Sequence, residues 1–131
     1  MKKTHNPAQV KRLLRVLDTL DGFELVIYGY RSLPVFREMQ ELLRTNCRTR
    51  KIKIIDIDLS TLSQVGEFEN LLQRKKGKTK GYRVFNLTGL ETHIKAGQTS
   101  SFLNHINLLR DRLADDLPYG FFFWLPENLV Q

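Results

Sequence analysis

A single cysteine, Cys47, rules out an internal disulfide and with it the stapled folds of small secreted proteins. A reducing compartment is the natural setting, and the cytoplasm is the expected location. With four prolines and eight glycines, the chain has no collagen-like, Pro-rich or linker-like stretch. Long apolar runs are missing too. The longest, Tyr119–Pro126, falls far short of the roughly 20 residues that a membrane helix needs. Lys2 and Lys3 precede no apolar segment, so no secretory signal is visible and no membrane partner is expected. His5, His93 and His105 share no metal-ligand spacing with Cys47 or with one another, so no metal site is nominated. A Gly-x-Ser-x-Gly nucleophile elbow is also absent. Negative charge is in short supply: 14 acidic residues face 21 basic ones, for a net charge of +7 and a pI near 9.8. That balance permits acidic proteins, nucleic acid or acidic lipid as partners and does not choose among them.

What remains fits one soluble α/β domain spanning residues 1–131, expected to be the N-terminal module of a larger protein. Val10, Leu13, Leu14, Leu17 and Leu20 recur at helical spacing, after Asn6 as N-cap and Pro7 at the first helical position. Phe23–Tyr28 reads as a strand, Gly29–Arg31 as a turn, and Ser32 as the cap of a second helix carrying Val35, Phe36, Met39, Leu42 and Leu43. Ile52, Ile54, Ile55 and Ile57 make a β-branched strand. A third helix is expected from Ser60 or Thr61 to Leu72, a strand over Tyr82–Leu87, a fourth helix from Thr99 to Leu113, and an aromatic strand over Tyr119–Leu125. Alternation of this kind predicts a three-layer fold, a parallel sheet of about four strands with flanking helices. Strands apolar throughout fit burial on both faces.

Ligands of such sheets bind beyond the C-terminal ends of the strands. That edge is expected to carry Gly29, Tyr30, Arg31 and Ser32, then Asp56 and Asp58, then Thr88 and Glu91, then Trp124 and Glu127. A phosphate loop needs converging backbone N–H groups, a lysine and a hydroxyl. Gly29-Tyr30-Arg31-Ser32-Leu33-Pro34 offers one glycine and no lysine, and Pro34 removes a donor. Gly77-Lys78-Thr79 imitates the motif's end, but it follows a helix and has Leu72 where the first glycine belongs. Thr88 stands where a magnesium-binding aspartate would sit. Asp56 and Asp58 are expected on opposite faces of their strand and so make a poor acid–base pair. No catalytic residue and no cofactor is nominated.

Basic residues fall in two groups. Arg44, Arg48, Arg50, Lys51 and Lys53 lead into the second strand, and Arg74, Lys75, Lys76, Lys78, Lys80 and Arg83 lead into the third. In a parallel sheet both groups belong to the N-terminal edge, as a solubilising face or as a docking face for an acidic protein or a phosphate backbone.

Three stretches carry a family resemblance: Arg83–Glu91, Leu103–Leu113 and Phe121–Glu127. They pair a strand ending in Gly-Leu-Glu, a helix with Asn-x-x-Arg-Asp and a strand ending in Trp-Leu-Pro-Glu. The pattern resembles the inactive STAND-type domains of bacterial multidomain signalling and defence proteins. The resemblance implies a sheet like that of P-loop NTPases without a functional phosphate loop. It also implies a non-catalytic adaptor or regulatory role, with a protein or other domains of the same chain as partner. Its signature positions, candidates for interaction, are Gly89, Leu90, Glu91, Asn107, Arg110, Asp111, Trp124, Pro126 and Glu127. Arg110 and Asp111 are expected to tie their helix to Glu91 or Glu127. Two other readings stand beside this one: nucleic-acid binding through the basic edge around residues 44–53 and 74–83, and a degenerate flavodoxin- or TIR-like enzyme using Glu91 or Asp56.

Overall fold

The computed structural model describes residues 7–19, 24–61, 83–94 and 120–129, together with 67, 70 and 104. The elements run α1 (Pro7–Asp18), β1 (Glu24–Tyr30), α2 (Leu33–Thr49), β2 (Lys53–Asp58), β3 (Arg83–Thr88) and β4 (Gly120–Pro126). Single 3-10 turns follow three of the strands, at Leu59–Thr61, Leu90–His93 and Glu127–Leu129. Apart from Glu67, Asn70 and Asn104, the helices expected beyond Thr61 and from Thr99 onward lie outside the described residues, as do Asn6 and the basic stretch 74–80.

Both described helices obey their sequence pattern. In α1, Leu13 and Leu17 are buried and Val10 and Leu14 half-buried, which is one apolar stripe at helical spacing. In α2, Met39, Gln40, Leu43 and Cys47 form the buried face. Ser32 caps α2 at its N-terminus, its side chain accepting from the Val35 N–H at 3.4 Å. The C-terminus closes as a Schellman motif. Ile52 N–H bonds the Cys47 carbonyl at 2.8 Å and Lys51 N–H bonds the Arg48 carbonyl at 3.1 Å, with Lys51 left-handed at φ 57°. Ile52 then packs on the core beneath the helix.

The four strands form one parallel sheet in the order β1-β4-β3-β2. Parallel neighbours need a crossover, and α2 supplies the longest, carrying the chain from one edge strand to the other. Its buried face therefore lies over the two central strands. Leu13, Leu17, Val26, Tyr28, Met39, Leu43, Cys47, Val84, Phe122 and Trp124 make one core between the helices and this face. Side chains of alternating residues point to the opposite face, and there Phe85, Leu87, Phe121, Phe123 and Leu125 are at most 1% exposed. Both faces are covered, as a three-layer α/β fold requires. The central strand β4 is buried from Gly120 to Leu125, whereas the edge strand β2 exposes Lys53, Asp56 and Asp58. At roughly 1.5–3 kcal/mol per large apolar side chain, the aromatic run of β4 is a major contributor to stability.

Candidate functional site at the C-terminal edge

β1 continues to Tyr30, so Gly29 and Tyr30 are strand residues and the turn shrinks to Arg31–Ser32. This corrects the expected turn at Gly29–Arg31. The extension follows from pairing: β1 stays in register with β4 as far as Tyr30 opposite Pro126. The turn leads straight into α2, where two of the first three helical positions offer no free N–H. Val35 N–H goes to the Ser32 hydroxyl, Phe36 N–H goes to the Ser32 carbonyl at 3.0 Å, and Pro34 has none to give. Arg31 reaches across to Glu127, Nε to carboxylate 3.2 Å, and so links the exits of β1 and β4. Beneath it Tyr30 packs on Phe36 with ring centroids 4.8 Å apart, and Phe36 meets Trp124 edge-on at 5.9 Å. Burial, then the charge of Glu91, raises the Tyr30 phenol above its ordinary value. Glu91 thus acts on the end of β1 from its place after β3. One of its carboxylate oxygens is buried without a hydrogen-bond partner among the described residues.

The exits of β2 and β3 are locked together. Asp58 accepts from Ser60 N–H at 3.0 Å and from the Ser60 hydroxyl at 2.6 Å, closing the turn after β2. Gly89 is left-handed at φ 78°, and a Cβ there would meet Asp58 Oδ1 and the Ser60 backbone nitrogen, the latter at 2.8 Å. Only glycine fits this approach. His93 Nε2 lies 2.7 Å from the Leu59 carbonyl, so Nε2 carries the hydrogen and donates. Thr88 sits beside Asp58 in the paired register. Among the described residues no group of three His, Cys, Asp or Glu side chains is placed to hold a metal ion.

Two residues expected at this edge sit within their strands instead, Trp124 in the core and Asp56 on the exposed edge strand. Trp124 is buried and its indole N–H donates to Asn86 Oδ1 at 2.6 Å. Asn86 Nδ2 donates to Gln40 Oε1 at 2.6 Å and to Asp56 Oδ1 at 2.9 Å, and Gln40 returns a bond of 3.5 Å. Arg44 closes the chain with a bidentate pair on Asp56, both bonds 2.9 Å. Asp56 is therefore a mid-strand anchor for α2. Its Arg44 bonds, and to a lesser degree Asn86, hold its carboxyl below the ordinary value while burial opposes them. The expectation that Asp56 and Asp58 face opposite ways is also corrected. Residues two apart share a face of a strand; these two are separated by their partners, Arg44 and Ser60. The sequence reading passed over Gln40 and Asn86. The available signal was an amide inside the apolar strand Val84–Leu87, since a buried amide must find partners.

The expected basic face divides in two. Arg44 is spent on Asp56, and Arg50 is spent on Asp18 at 2.7 Å and on the Asn46 side chain at 2.9 Å. Arg48, Lys51 and Lys53 are exposed. Arg74, Lys75, Lys76, Lys78, Lys80 and the Arg83 side chain lie outside the described residues. Of the signature positions, Leu90 and Trp124 are buried, Pro126 ends β4, and Glu127 pairs with Arg31. Asn107, Arg110 and Asp111, with their expected ties to Glu91 or Glu127, lie outside the described residues.

No family model matches the chain, and neither does any curated protein or solved structure.

Proposed function

We propose that this chain is a non-catalytic protein-interaction domain, an adaptor or regulatory module of the kind found in bacterial signalling and defence proteins. The observation that carries the reading is the closed N-terminus of α2. A phosphate is held where several backbone N–H groups point outward at a helix start. Here the Ser32 hydroxyl takes up Val35 N–H and Pro34 has no N–H, so two of the first three positions of α2 offer no donor. The Arg31 guanidinium, in the turn that precedes α2, is directed to Glu127. The same closure weighs against the flavodoxin- or TIR-like reading, and Asp56 is engaged by Arg44 and Asn86 rather than open to a substrate.

The test is thermal unfolding with and without magnesium and ATP. A ligand present at about 100 times its Kd would add about 2.7 kcal/mol to stability. The expected result is no change in Tm at millimolar nucleotide. A rise of several degrees, lost in a Ser32→Ala variant, would overturn the reading.

A further inference from the structure

We infer that the N-terminal edge of the sheet, at its β2 end, is the docking surface, and that its partner is an acidic protein segment. This rests on the interaction-domain reading above and names the surface and the partner chemistry. The fold itself separates two kinds of cation at this edge. Arg44 and Arg50 are held by Asp56 and Asp18 and serve the fold. Arg48, Lys51 and Lys53 are exposed, on the last turn of α2, its C-terminal cap and the first residue of β2. Six consecutive residues thus place on one corner three positive charges with no ion-pair partner among the described residues.

Lys51 sharpens the case. It occupies the left-handed position of the Schellman cap, φ 57°, where glycine is the residue that local conformation favours. A lysine there serves the helix end less well than glycine, and it adds a point charge beside Arg48 and Lys53.

Charge complementarity separates an acidic protein from a nucleic acid. The strand order puts β1 and β2 at opposite sides of the sheet, three strand spacings or roughly 14 Å apart. The exposed residue that opens β1 is Glu24, and the one that opens β2 is Lys53. Among the described residues that open the two edge strands, the charge is therefore positive at the β2 corner and negative at the β1 corner. A phosphate backbone crossing this edge would meet Glu24 repulsively, whereas a short acidic segment needs only the positive corner. Base stacking also lacks a platform, because Leu33 is the only exposed large hydrophobic side chain among the described residues.

The experiment is fluorescence anisotropy with three labelled probes of equal net charge: an oligo-glutamate peptide, duplex DNA and single-stranded RNA. Each is titrated with the whole chain at low and at physiological salt. The peptide is expected to bind more tightly than either nucleic acid, and more weakly as salt rises. The triple variant Arg48→Glu, Lys51→Glu, Lys53→Glu is expected to lose at least tenfold in peptide affinity. Arg37→Glu makes the same kind of charge change roughly 16 Å away along α2 and is expected to leave peptide binding within twofold. Circular dichroism melts of both variants establish that they fold. No peptide binding at low salt, equal loss in both variants, or tighter binding of DNA or RNA would overturn the inference. Nucleotide-dependent melting of the same samples is read separately. Its appearance sinks the interaction-domain reading, whereas its absence together with a failed peptide titration sinks only the docking surface.

Discussion

Replacing Tyr28 by phenylalanine is expected to stabilise the protein, although Tyr28 lies in the middle of the core. Its ring is 1% exposed and stacks on Trp124 at 4.9 Å and on Phe122 at 6.0 Å, with the Arg12 guanidinium 5.2 Å from its centroid. The substitution keeps all of those contacts. It removes a buried hydroxyl that has no hydrogen-bond partner among the described residues. An unsatisfied buried polar group costs about 1–3 kcal/mol, so a gain near the lower bound, about 1 kcal/mol, is expected, or a Tm increase of about 3–5 °C. The pH dependence gives a second readout. Burial pushes the Tyr28 phenol up to about 12 from 10.0, against the opposing charges of Arg12 and Arg15. The folded state therefore prefers the protonated phenol. That contribution is fully present below pH 10 and is lost as pH rises from 10 to 12. At about 1.4 kcal/mol per unit, the wild type loses on the order of 2–3 kcal/mol across this window that the phenylalanine variant keeps. Cys47, pushed up to about 11 by burial, titrates in both proteins and cancels in the difference. Urea unfolding followed by fluorescence of Trp124, the only tryptophan, at pH 7, 9 and 11 measures both effects. A variant less stable at pH 7, or a gap between the two proteins that does not widen with pH, would refute the reasoning.

Asn86→Leu keeps the side-chain volume but strands the Trp124 N–H and the Gln40 amide; a loss of about 3 kcal/mol is expected, read as a lower urea midpoint. Gly89→Ala forces a side chain into Ser60 at a left-handed position and should cost about 2 kcal/mol or more by thermal melting. Lys51→Gly should raise stability by about 1 kcal/mol, because the cap already has the φ that glycine adopts without strain; an unchanged or lower Tm would count against the Schellman assignment. Asp56→Asn tests the acid limb. The folded carboxyl of Asp56 titrates below its ordinary 3.8, so its stabilising effect is complete above that pH and is lost as pH falls through the lower folded value. The variant should be less stable at pH 7 and show a flatter decline below pH 4, measured by urea midpoints from pH 7 to pH 2.

The alternation of elements was legible because period and β-branching are local properties. Leu13 and Leu17 had to share one stripe, and Phe121 to Trp124 had to be buried on both sides. Ser32 was legible as a cap for the same reason, since a cap is written within four residues. Strand order was not legible, because no local signal says that β4 inserts between β1 and β3. That insertion is what carries β1 on to Tyr30 and removes Gly29 from the expected turn. The fate of individual charges was equally hidden. Arg44 and Arg50 look like Arg48 in the sequence, and only the crossing of α2 over the sheet, with α1 beside it, brings Asp56 and Asp18 to the first two. Asn86 was the opposite case, a polar residue whose apolar neighbours already announced a buried partner.

The polar chain beneath α2 explains how these two sets of charges are kept apart. Apolar packing tolerates volume-conserving changes of partner at modest cost. Hydrogen bonds do not. A shift of α2 by one turn, about 5.4 Å, would carry Gln40 away from Asn86 and Arg44 away from Asp56, leaving the Gln40 amide and the Arg44 guanidinium without these bonds. Each loss is of the costly, unsatisfied kind. The chain therefore selects one seating of α2, with Ser32 at the C-terminal edge and Arg48 and Lys51 delivered to the N-terminal edge beside Lys53. A helix fixed in this way sets its Ser32 cap at one end of the sheet and the exposed Arg48 of its last turn at the other.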